Sequence, residues 1–230
     1  SRNKNNDEFY NKLKSLNTND FSRIKIDNVD LFNKDNVLDY LEHISPNYIY
    51  NLAGPSSVYK TFQNPEAVSL QINGIFDNLS NYLIKAKNSP NFFQASSSDM
   101  FNQHDNKKLN ESSKFNPIST YAEGKLIVHE KIQTIKNEYS WLISSGIMFN
   151  HESEFRNNDY LFMKIIKNAI DIKNNHKNSF TVGSLDLVRD WSFAGDFAEA
   201  IHLICLEGNG ENFVIGSGVG HSIGELIKIV

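Results

Sequence analysis

Asn91-Phe92-Phe93-Gln94-Ala95-Ser96 is a run of β-favouring residues that breaks into Ser97-Ser98-Asp99, a cluster of small and polar side chains. A short apolar run bounded by turn residues suits a buried strand, and its neighbours in sequence decide which kind of sheet it belongs to. Upstream lie Tyr48-Ile49-Tyr50-Asn51-Leu52 and, earlier, Ile24-Lys25-Ile26 leading to Asp30-Leu31; downstream lies Trp141-Leu142-Ile143-Ser144-Ser145-Gly146-Ile147. Between these runs, apolar residues recur at three- and four-residue spacing near 33–43, 64–87 and 119–138, as at Leu79, Leu83 and Ile84. Strand, helix, strand in this rhythm predicts a doubly wound α/β fold, a parallel sheet covered on both faces.

Ligands of such sheets bind outside the carboxyl ends of the strands. Those ends read Ala53-Gly54-Pro55-Ser56-Ser57, Ser96-Ser97-Ser98-Asp99 and Asn150-His151-Glu152-Ser153. After residue 150 the pattern loosens: a helix near 158–173, a short strand Ser179-Phe180-Thr181-Val182, the segment Arg189-Asp190-Trp191, a helix near 194–206, a strand at 212–215 and a helix start at Ser222. Residues 1–150 are therefore read as one domain and 151–230 as part of a smaller region capping the sheet, interleaved with the first.

Composition narrows the function classes. The 230 residues carry a formal net charge of −4, 40% hydrophobic and 22% charged residues, values of an ordinary globular protein without a basic field for nucleic acid. The single cysteine, Cys205, sits in an apolar run, which excludes an internal disulfide framework and fits a reducing, cytoplasmic compartment. No run reaches the length of a membrane span, and the seven dispersed histidines show no helical metal-site spacing.

Tyr121-Ala122-Glu123-Gly124-Lys125 places a tyrosine and a lysine four apart, on one face of a helix. A phenol with an ordinary pKa near 10 serves as a base near neutrality only if a neighbouring ammonium stabilises the phenolate. Asn116-Pro117-Ile118-Ser119-Thr120 opens that helix after the serine-rich strand end, whose serine could bond the same substrate hydroxyl. Such a trio serves hydride transfer from a secondary alcohol.

The order of Tyr50-Asn51-Leu52-Ala53-Gly54, Gln94-Ala95-Ser96-Ser97-Ser98-Asp99, Tyr121-x-x-x-Lys125, Gly146-Ile147-Met148-Phe149-Asn150-His151-Glu152-Ser153 and Arg189-Asp190-Trp191 resembles the extended short-chain dehydrogenase/reductases, and within them the GDP-mannose 4,6-dehydratases, over residues 24–230. The resemblance implies a Rossmann-type cofactor domain, NADP, a homo-oligomer, and GDP-mannose as the sugar nucleotide. It implies that Tyr121 takes the proton of the sugar 4-hydroxyl and that Lys125 holds the nicotinamide ribose and lowers the tyrosine pKa. The family's Thr-x-Glu triplet stands here as Ser97-Ser98-Asp99, keeping the hydroxyl and a shorter acid; Asp99 is then either the base for the carbon-5 proton or a helix-capping carboxylate.

By the same resemblance Ser56, Asn150, Lys164 and Arg189 touch the sugar nucleotide, Arg189 at the diphosphate, and Ala53 and Gly54 border the cofactor. Ser56 and Asn150 also read as turn and loop-cap residues, Asn73 as a helix-face amide or a residue behind the active site, and Glu152 as structural. Arg2 falls where relatives hold the 2′-phosphate, and Asp30-Leu31 where an acid meets the adenine. Departures at Glu154-Phe155-Arg156-Asn157, Ser184 and Ser192-Phe193 bear on the choice of substrate. No glycine-rich phosphate loop of the expected spacing is found, and Gly216-Ser217-Gly218-Val219-Gly220 reads as an ordinary turn. The expectation is a chain that begins after the first βαβ unit, roughly 30 residues, with an unpaired third strand and weak NADP binding on its own. A sugar-nucleotide epimerase or reductase, or a non-catalytic binding protein, remains the alternative.

Overall fold

The cross-strand register of Phe92 and Phe93 sets the layers. In a computed structural model describing residues 23–55, 65–101, 108–139 and 141–230, β1 (Tyr48–Asn51), β2 (Asn91–Ser97), β3 (Ile143–Met148) and β6 (Asn212–Ile215) form one parallel sheet in the order β1-β2-β3-β6. Successive side chains of β2 point to opposite faces. Phe92, with Ile49 and Ile143 beside it, packs under α1 (Lys34–Ile44), α2 (Pro65–Lys85) and α3 (Thr120–Tyr139). Phe93, with Tyr50, Ala95 and Met148, packs under α5 (Ala194–Glu207) through Ile201, Ile204 and Cys205. The doubly wound reading holds, and it puts the carboxyl ends of β1, β2 and β3 side by side.

Local signals define the helices. Asn33 caps α1 by accepting from the Asn36 N–H, and Ser45, left-handed at φ 43°, ends it by donating to the Leu41 carbonyl. The α2 and α3 helices cross closely at Gly124, where an added Cβ would stand 3.2 Å from Ile72 Cδ1. At Gly146 in β3, a Cβ would meet the Phe93 ring at 2.5 Å, so the phenyl fills the space a side chain would occupy.

The later elements build a second, three-stranded sheet. β4 (Asn150–Glu152) pairs in parallel with β5 (Val188–Phe193), and β5 pairs antiparallel with β7 (Gly220–Ser222). Ile165 of α4 (Leu161–Lys173), Ile223 and Leu226 of α6 (Ile223–Ile229), and Trp191 form a small core of its own. A capping box between Ser222 and Glu225 starts α6.

Two expected strands are corrected. Residues 24–26 carry no ladder, since among the described residues no strand lies beside them and Ile24 remains 49% exposed. Residues 179–182 are likewise not a strand: Phe180 and Val182 spend their apolar side chains in the small core around Trp191 without an edge to pair with. Both runs had the composition of a strand and lacked the partner.

Candidate active site

Ser97, the last residue of β2, is nine-tenths buried, and its hydroxyl accepts from the Asp99 backbone N–H at 3.2 Å. That bond tightens the chain into a single turn, Ser98–Met100, with Met100 and Phe101 fully buried beneath it. The turn aims Asp99 away from the core, into a cavity of about 770 Å³. The opposite side of this corner is the start of α3, where Ser119 Oγ accepts from the Ala122 N–H and orients the first turn. Tyr121 from that turn and Lys125 from the next project to the same cavity. Ser97, Asp99 and Tyr121 line the same cavity, and the Ser97 hydroxyl is close enough to favour the ionised form of either neighbour.

Their protonation follows from that meeting. Burial is the main cause raising the Asp99 carboxyl above its ordinary range, opposed by the Arg189 charge and the Ser97 hydrogen bond. Asp99 is open to the cavity, yet enough protein surrounds it for desolvation to win. The Tyr121 phenol is pushed up to about 12, by burial first and then by the Asp99 charge, with Ser97 pulling the other way. Lys125 Nζ lies 5.7 Å from the Tyr121 ring centroid, but its hydrogen bond goes to the Ala95 carbonyl at 2.9 Å. Burial lowers its pKa to about 8. In this arrangement the lysine is not what sets the phenol.

The cavity continues past the ends of the other strands. Ala53 and Gly54 follow β1; Gly54 sits at φ 135°, with open space where a Cβ would be. Asn150 opens β4, and Arg189 comes from β5, exposed, with Nη1 donating to its own Val188 carbonyl at 2.8 Å. Sequence reasoning named all of these. Ser56 and Arg2 lie outside the described residues.

Four named residues stand apart from the cavity lining. Lys164 is exposed on α4. Asp30 turns its carboxylate onto the Phe32 N–H at 3.0 Å, and Leu31 borders a separate apolar hollow of about 240 Å³. Asn73 donates to the Ser69 carbonyl at 2.9 Å within α2. The glycine-rich turn at 216–220 is wrapped around Asp190, whose carboxylate accepts from the Ser217 and Gly218 N–H groups at 3.1 and 2.8 Å. Those amides are already engaged, as an ordinary turn requires.

Other lining residues had no place in the site assigned from sequence. Arg156 Nε donates to the buried Glu152 at 2.7 Å, and the guanidinium stacks 4.0 Å over the Tyr160 ring. Tyr160, Phe162, Trp191 and His202 also line the wall. The i, i+4 spacing of Glu152 and Arg156 was the available signal for one pair; the rest come together only through folding.

The sequence model of the GDP-mannose 4,6-dehydratase family matches residues 1–230. The chain is 28% identical over 210 residues to GDP-mannose 4,6 dehydratase 2 of Arabidopsis thaliana, covering 90% of this chain and 56% of that protein. It is 29% identical over 202 residues to the human GDP-mannose 4,6 dehydratase, covering 86% and 54%. The chain thus spans about half the length of these curated relatives. The fold is shared with RMD from Pseudomonas aeruginosa, solved in complex with NADPH (TM-score 0.82, 23% identity, 88% of this chain and 70% of that one). It is shared too with the dTDP-glucose 4,6-dehydratase DesIV of Streptomyces venezuelae, solved with NAD and TYD bound (TM-score 0.83, 18% identity, 95% and 66%). On the match across its whole length, this chain belongs to the GDP-mannose 4,6-dehydratase family of extended short-chain dehydrogenase/reductases.

Proposed function

We propose that the protein is an NADP-dependent nucleotide-sugar 4,6-dehydratase that converts GDP-mannose to GDP-4-keto-6-deoxymannose. The observation that carries this reading is the meeting of Ser97, Asp99 and Tyr121 at one corner of the cavity, with Lys125 beside them. The relatives named GDP-mannose 4,6-dehydratase support the substrate, and the neighbour solved with NADPH supports the form of the cofactor.

The donor set fits a nicotinamide cofactor. Lys125 is a buried ammonium with one acceptor among the described residues, which leaves two N–H bonds to offer to hydroxyl groups. Gly54 leaves the backbone open to close approach. When bound, the cofactor supplies reversible hydride exchange with the sugar. Tyr121, Lys125, Ala53 and Gly54 would hold it, with Asp30, Leu31 and Arg2 proposed for the adenosine end. Asn150 and Arg189 are the proposed sugar-nucleotide contacts on the cavity, and Ser56 and Lys164 complete that set.

The chain's own groups then manage protons. Tyr121 moves the proton at the sugar 4-oxygen, with the Ser97 hydroxyl beside it on the same cavity. A ketone at carbon 4 makes the carbon-5 proton acidic. Asp99, its carboxyl raised by burial, takes that proton and passes it to the 6-hydroxyl, which leaves as water as the C5–C6 double bond forms. The proposed division of labour follows the chain: 1–150 for the cofactor and 151–230 for the sugar nucleotide. A cytoplasmic homo-oligomer completes the reading; among the described residues no helix is long and apolar enough to cross a membrane.

Tyr121→Phe in the full-length protein tests this assignment. Product formation from GDP-mannose is expected to fall by about 10²–10⁴-fold; an unchanged rate contradicts the role of the phenol.

A further inference from the structure

The Lys125 ammonium has an anchor, and the anchor is itself held. Lys125 Nζ donates to the Ala95 carbonyl at 2.9 Å, and the same oxygen accepts from Gln94 Nε2 at 2.9 Å. Gln94 is 3% exposed, and its Oε1 accepts from Asn51 Nδ2 at 2.8 Å. Asn51, equally buried, accepts at Oδ1 from the Ala53 backbone N–H at 3.2 Å. A line of hydrogen bonds thus runs from the turn after β1, through two side-chain amides, to the lysine.

Both ends of the line fix its direction. The Ala53 N–H can only donate, so Asn51 presents Oδ1 to it and Nδ2 to Gln94. Gln94 then presents Oε1 to Asn51 and its NH₂ group to the Ala95 carbonyl, which can only accept. Flipping either amide would set two like groups against each other. In a buried site an unmade bond leaves a desolvated group unpaired, so the orientation is strongly held.

We propose that Gln94 is a positioning residue for Lys125: oriented by Asn51, it fixes the Ala95 carbonyl as the ammonium's anchor and ties the lysine to the Ala53–Gly54 turn. This rests on the reading of Lys125, Ala53 and Gly54 as cofactor contacts, whose mutual spacing the line then maintains. Gln94 lies outside the cavity lining and acts only through the lysine. On this reading its NH₂ group also shares the Ala95 oxygen with the ammonium, so removing the donor leaves that oxygen to the lysine alone. Tyr121 on its own helix stands beside Lys125, and the other titratable groups lining the same cavity are Tyr50, Asp99, His151, Glu152, Arg156, Tyr160, Arg189 and His202. Asp77 of α2 is engaged with Lys131 at 2.6 Å. None of them displaces Lys125, for which burial is the sole cause.

Gln94→Glu keeps the oxygen facing Asn51 and replaces the donor with a carboxylate oxygen. The Lys125 Nζ titration, followed by NMR in lysine-labelled full-length protein, is expected to rise by about one pH unit or more. NADP affinity by calorimetry is expected to weaken roughly tenfold as the ammonium is drawn from its anchor. Should that variant fail to fold, Gln94→Met removes the donor without adding charge and is expected to shift both readouts in the same directions. A Lys125 titration unmoved in the folded variants overturns the proposal. Lys125→Met separates this from the cofactor reading: unchanged NADP affinity there refutes the lysine's cofactor role, whatever Gln94 does to its titration.

Discussion

The Asp99 carboxyl and the Tyr121 phenol both lie beside the Ser97 hydroxyl, and the carboxylate's charge helps push the phenol up to about 12. The two proposed proton carriers are therefore coupled: ionising the acid makes the phenolate harder to form. Protonation of one favours proton release by the other, which suits a reaction in which each must hand over a proton in turn.

Removing the shared hydroxyl makes both groups harder to ionise. In Ser97→Ala, loss of a hydroxyl that favours the ionised form of each neighbour is expected to move the acidic limb of the kcat profile upward, because Asp99 must lose its proton to act as a base. A fall in kcat of about 10²–10³-fold is expected to accompany the shift, as for other donors aimed at a reacting centre. Initial rates across the pH range check both effects.

Asp99→Asn and Asp99→Glu discriminate the dehydratase from an epimerase. The amide cannot take the carbon-5 proton, so turnover is expected to fall by about 10²–10⁴-fold, with loss of solvent deuterium incorporation at carbon 5. The glutamate restores the longer acid of the family triplet and is expected to keep turnover. Full activity in Asp99→Asn would favour a reaction that needs no acid at this position.

Lys125 should weaken the fold it serves. Its folded pKa is about 8 against an ordinary 10.5, so between these values the unfolded chain binds more protons and stability rises with pH. Below about 8 the burden of burying the charge is fully present, on the order of 3 kcal/mol. Lys125→Met is expected to stabilise the folded state at pH 7, with the gain shrinking toward pH 10. Urea unfolding at the two pH values measures it.

Gly146→Ala tests the packing that brings β2 and β3 together. The new methyl would stand 2.5 Å from Phe93 Cζ and 3.1 Å from Ile215 Cδ1, and Phe93 is fully buried with nowhere to yield. Overpacking of this kind costs about 1–3 kcal/mol, which denaturant unfolding detects as a lower midpoint with an unchanged slope.

The residues legible in sequence are those whose signal is local. Ser97 and Asp99 stand at the end of an apolar strand, and Tyr121 and Lys125 share a helical face, so strand-end logic and i, i+4 spacing placed all four at the corner they occupy. The same logic could not reach Tyr160 or His202: the first arrives as the N-cap of α4, the second from α5 where it packs on the parallel sheet, His202 bonding Tyr50 at 2.8 Å. It erred at 24–26 and 179–182, where β-favouring side chains lack a neighbouring strand. Lys125 was expected to lower the Tyr121 pKa; its ammonium lies 5.7 Å from the ring centroid, but its hydrogen bond goes to the Ala95 carbonyl.

The mass of the product formed by full-length protein from GDP-mannose with NADP tests the central claim most directly. Dehydration at carbons 5 and 6 predicts a sugar nucleotide lighter by one water, formed in wild type and suppressed in Tyr121→Phe. A product of unchanged mass, or a dehydrated product formed equally well without the Tyr121 hydroxyl, would contradict it.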